Sequence, residues 1–138
     1  MSDQELILLL KSQHLNLRKD LSDVLEGINS DNKDENDLTV LNLNRFKNDL
    51  LDHLKLEDEK FYPAYFQKSQ YNKEVAQKLM LQMNQIAEVV INFFKKYENL
   101  AEIIDNKNYF ISELLEIVNT LNIRIETEEE GIYELFLV

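Results

Sequence analysis

With two glycines and one proline in 138 residues, the chain has almost no means of making the tight turns that a sheet needs, since those turns draw on glycine and proline. Long helices joined by a few polar breaks are the remaining solution. Three breaks stand out. The run Asn29–Asp37, NSDNKDEND, is expected to be a loop, as is KSQYN around Tyr71, where Asn72 is placed to cap the next helix, and so is DNKN, Asp105–Asn108. Between them lie four helical segments, roughly 2–28, 37–68, 72–104 and 107–137. Four long helices with short connections imply one all-α domain over 1–138, an up-down-up-down antiparallel four-helix bundle.

Composition narrows the functional classes. The absence of cysteine excludes disulfides and thiolate metal sites. A net charge of -11 disfavours nucleic acid and anionic membrane as partners, because both repel an acidic surface. The apolar run Leu6–Leu10 is short for a signal-peptide core and has no basic start. No stretch approaches the roughly 18 apolar residues of a membrane span. A cytoplasmic protein is the expectation. No nucleophile with an orienting base and no phosphate loop is present, so no enzyme activity is expected.

The apolar stripes carry the informative residues. Steps of three and four give Ile7, Leu10, His14, Leu17, Leu21, Val24 and Ile28 in the first segment, and Leu43, Phe46, Leu50, His53, Glu57 and Phe61 in the second. His14, His53 and Glu57 are thereby carried inward. In the third segment Leu79, Gln82, Ile86, Val90, Phe93 and Tyr97 follow the same steps. In the fourth they are Phe110, Leu114, Ile117, Leu121, Arg124, Glu128, Ile132 and Leu135. In an antiparallel bundle, at 1.5 Å rise per residue, His14, Gln82, Glu57 and Glu128 all fall roughly 14–18 Å from the same end. Buried carboxylates in such a layer need compensation, by a metal or by an internal cation.

The stretches QHLNLRKDL, DHLKLEDEKFYPAY and LNIRIETEEEGIYELF resemble the hemerythrin-like, or HHE cation-binding, domain over nearly the whole chain. The strongest piece is His53 and Glu57 followed by KFYP. The resemblance implies His14, His53, Glu57 and Glu128 as ligands of non-haem iron, one or two ions, serving O2 or NO binding or sensing, or the sensing of iron itself. RIETEEEGIY aligns with HLKLEDEKFY, so Arg124 stands where the family has its fourth-helix histidine. The third segment has no histidine, and Gln82 is its nearest polar candidate.

Two readings follow. In one, two histidines and two carboxylates hold a divalent ion, a donor set that suits iron(II). In the other, Arg124 forks onto Glu57 and Glu128 and replaces the metal charge, leaving a metal-free interaction or regulatory bundle with a protein partner. The sigma-factor-binding, anti-sigma-like regulators are similar in helix order. A di-iron oxidase would need more carboxylates than this layer supplies. Glu129 and Glu130 fall off the stripe and read as solvated. Tyr62 and Tyr133 hold matching places, read as packing, with donation to a ligand carboxylate as the alternative. The apolar end IYELFLV suits either capping of the core or a homodimer contact.

Overall fold

The computed structural model describes residues 1–68 and 73–138 and contains no strand among them. The connection read around Tyr71, with Asn72 as a cap, lies outside the described residues. Helix α1 spans Asp3–Asn29, α2 Lys33–Asp37, α3 Thr39–Leu56, α4 Tyr62–Lys68, α5 Lys73–Lys96, α6 Leu100–Asp105, α7 Lys107–Thr127 and α8 Tyr133–Phe136. A π-helical turn, Glu57–Phe61, joins α3 to α4, and a second, Glu128–Ile132, joins α7 to α8. The bundle thus has four long members: α1, α3 continued through α4, α5, and α7 continued through α8. No described helix is long and apolar enough to cross a membrane.

Capping explains where the short elements begin. Ser2 accepts a hydrogen bond from the Glu5 amide and starts α1. Asn32 accepts from the Asp34 amide and turns Lys33–Asp37 into α2, so the first expected loop contains a helical turn. Asn99 accepts from the Glu102 amide and starts α6. The third segment therefore ends at Lys96, not at 104. The signal was present in the sequence, an asparagine followed three residues later by a glutamate.

Two apolar clusters fill the bundle. The larger runs from Leu17 and Leu50 through Phe46, Met83 and Leu121 to Phe93, Tyr97 and Phe110. The smaller gathers Leu6, Leu10, Phe61, Tyr65, Leu79, Tyr133 and Phe136 at the other end. All the stripe positions expected of α1 and of α3 through Phe61 are buried. Two other stripes are corrected. In α5 the inward residues near the middle are Leu79 and Met83, while Gln82 is only half-buried. In α7, Ile125 is buried in place of Arg124, and beyond the π turn Phe136 is buried in place of Leu135. Steps of four then three fit a helix as well as three then four, and the apolar side chain takes the inner position. Of IYELFLV, Ile132, Tyr133 and Phe136 cap the smaller cluster, while Leu135, Leu137 and Val138 are exposed.

Candidate metal centre

His14 lies between Leu10, in the smaller cluster, and Leu17, in the larger. His53 and Glu57 occupy the corresponding level of the second bundle member, and Glu128 that of the fourth. All four are at most 1% exposed. One donor atom from each lies within 4.8 Å of every other. The His14 and His53 Nε2 atoms are 3.1 Å apart. His53 Nε2 is 2.5 Å from Glu57 Oε1, without the alignment of a hydrogen bond.

The π turns build the carboxylate side of this centre. The Tyr62 amide donates to the Glu57 carbonyl and the Tyr133 amide to the Glu128 carbonyl, each five residues back. In an α-helix adjacent residues diverge by about 100°, so the fourth and fifth residues after a glutamate cannot both share its face. The wider turn allows it. Glu57, Phe61 and Tyr62 are all buried, and so are Glu128, Ile132 and Tyr133. Pro63, which has no amide hydrogen, is the second residue of α4, just past the first turn. A proline is not required for such a turn, because the second arises without one. Single π turns of this kind are frequent at functional sites in helices.

The same widening corrects the reading of Glu129. Rotated less far from Glu128, it reaches α1 and accepts a 2.8 Å hydrogen bond from His14 Nδ1. His53 Nδ1 donates to Gln13 Oε1 at 2.7 Å. Sequence spacing gave no sign of either partner. With both Nδ1 atoms donating, each imidazole turns an Nε2 lone pair inward. Tyr133 donates to Glu128 Oε2 at 2.8 Å, so of its two readings donation holds alongside packing. The Tyr62 hydroxyl is buried with no hydrogen-bond partner among the described residues.

Electrostatics leave the centre short of positive charge. Burial, then the neighbouring His53 and the more distant Arg18 and Lys11, lower the His14 pKa to about 3. Burial lowers His53 as well, against the pull of Glu128. Burial raises Glu57 to about 7. Burial, followed by the charge of Glu57, holds Glu128 well above the usual carboxylate range. Both Glu57 oxygens and Glu128 Oε1 have no hydrogen-bond partner among the described residues.

Arg124 does not supply the missing charge. It makes no ion pair with Glu57 or Glu128, and with Gln82 it lines a groove between α5 and α7. The fork of Arg124 onto the carboxylates is therefore not formed. The third bundle member crosses this level between Leu79 and Met83, both buried, and adds no ionisable group.

The donor set fits one cation. With bonds of about 2.0–2.2 Å, donors on opposite sides of a single ion lie about 4.0–4.4 Å apart, close to the span found. Two ions about 3.5–4 Å apart, with ligands beyond each, need a set nearly twice as wide. No curated protein and no solved structure matches the chain. A family model, that of the hemerythrin HHE cation-binding domain, matches residues 5–136. Three of the four bundle members converge two histidines and two glutamates on one buried point, and a match spanning nearly the whole chain accompanies that arrangement: the protein belongs to the hemerythrin HHE cation-binding domain family.

Proposed function

We propose that the chain binds one divalent transition-metal ion, iron(II) foremost, through His14, His53, Glu57 and Glu128, and uses it to bind or sense O2, NO or iron itself. One observation carries the reading: three buried carboxylate oxygens without a hydrogen-bond partner among the described residues face two inward imidazole lone pairs, with no described lysine or arginine paired to them. Unpaired buried carboxylates are costly, and a cation relieves both them and the opposed lone pairs. Two histidines with carboxylates suit non-haem iron(II) with open positions. A ferrous ion held there supplies a coordination position for a diatomic ligand.

The chain's own groups prepare that position. Glu129 and Gln13 fix the imidazole tautomers by holding Nδ1–H, so that Nε2 stays a donor. Tyr133 orients Glu128. The apolar residues above and below the layer, with Leu79 and Met83 at its third side, exclude water and keep the local dielectric low.

Metal analysis of protein purified without chelator, followed by anaerobic iron(II) titration, tests the reading. One equivalent per chain is expected, lost in His53→Ala. No bound transition metal after reconstitution overturns it, and capture of a protein partner by the metal-free chain then supports the regulatory bundle. Two equivalents overturn the single-ion reading.

A further inference from the structure

Gln82 and Arg124, expected in the central layer, instead share the wall of a cavity of about 620 Å³ between α5 and α7. Its floor is apolar: Ile86, Val90 and Phe93 come from α5 and Ile117 from α7. Val89, at its rim, is 59% exposed. The two helices run antiparallel, so the groove has unlike ends. At one, Lys96 closes on Glu113 at 2.6 Å and neutralises it. At the other stands Arg124, half-buried, with no carboxylate at ion-pair distance among the described residues. Gln82 to Lys96 covers about 21 Å along α5.

We propose that this groove binds an amphipathic organic monoanion, its carboxylate on Arg124 and its aliphatic or aromatic body along Ile86, Val90, Phe93 and Ile117. The volume lies within the range of roughly 300–1,000 Å³ typical of small-molecule pockets, and the lining has their pattern, mostly apolar with a few polar groups that orient the ligand. A guanidinium presents parallel N–H donors that match a carboxylate fork. The remaining anion on the wall, Glu116, is exposed, and water screens it. A second copy of the chain is a poorer occupant, because two bodies each carrying -11 repel one another. The proposal does not depend on the metal centre.

Sodium decanoate, below its micellar concentration, is titrated into the purified protein and followed by calorimetry and by amide chemical shifts. One saturable site is expected, with shifts at Ile86, Val90, Phe93, Ile117 and Arg124. Decanol should bind at least tenfold more weakly, as should decanoate to Arg124→Gln. Val89→Asp, at an exposed position that leaves the core intact, should weaken decanoate tenfold or more by placing a negative charge on the rim. The absence of saturable binding overturns the proposal, and so does decanol binding as tightly as decanoate. Shifts centred on His14 and His53 assign the carboxylate to the metal centre and overturn it too. Concentration-dependent self-association with shifts in the groove identifies a second copy as the occupant and rejects the small anion.

Discussion

His14 and His53 meet across α1 and α3 with their Nε2 atoms 3.1 Å apart, while the Nδ1 of each donates outward, to Glu129 and to Gln13. Two lone pairs at that separation repel unless a cation lies between them. Burial keeps both rings neutral, so a proton is a poor candidate for that role.

Stability of the metal-free protein should peak at about pH 5–6. Both histidines are lowered, so their contribution to stability is full above the ordinary 6.5 and falls as pH drops, for His14 toward its folded value of about 3. The raised Glu57 works oppositely: folding favours its protonated form, so stability falls as pH rises from 4.5 through about 7, and Glu128 extends the fall. Urea unfolding at a series of pH values measures this. With metal bound, the decline above pH 7 should reverse, because the ion takes the place of the carboxylate protons. A metal-free profile still rising at pH 8 contradicts the assignment.

Glu129→Gln should weaken metal affinity about tenfold, and Glu129→Ala by about 10–100-fold, as expected of a carboxylate that orients a ligating imidazole. Competition against a chromophoric chelator reads the affinities. Equal affinity in all three proteins would show that the His14 ring is held by packing alone.

Arg124→Leu should change stability by less than about 1 kcal/mol, the usual scale for a partly exposed side chain with no buried partner. A buried fork onto two carboxylates would instead have meant about 3–5 kcal/mol. Arg124→His should add little to metal affinity, because the position faces the groove with Gln82. Denaturant unfolding and metal titration decide, and a loss above about 3 kcal/mol would restore the metal-replacing role.

A second acidic pair lies elsewhere in the bundle. Asp20, on α1, is 4% exposed and its Oδ2 has no hydrogen-bond partner among the described residues. Burial first, then the hydrogen bond and charge of Asp49 on α3, push its pKa up to about 7. Folding therefore loses stability as pH rises from about 4 to 7. Asp20→Asn should stabilise the protein by about 1–3 kcal/mol at pH 8 and by little at pH 4. Thermal unfolding at the two pH values tests this, and equal shifts at both would show that the carboxyl is not strained by its neighbour.

The sequence by itself determined the architecture. Scarce glycine and proline forbid the turns of a sheet, and three-four spacing marks a buried face on each helix. The same spacing sent His14, His53, Glu57 and Glu128 inward, because each lies on a stripe that is otherwise mostly apolar. The tertiary structure alone decided the rest. Whether Arg124 or Ile125, and Gln82 or Met83, faces the core depends on a rotation of a few tens of degrees, which periodicity does not resolve and packing does. The π turns after Glu57 and Glu128 insert one residue into the helical count, so every inference from α-helical spacing drifts beyond them. That drift brought Glu129 to His14 and Tyr133 to Glu128, contacts between side chains that only the packed bundle sets side by side.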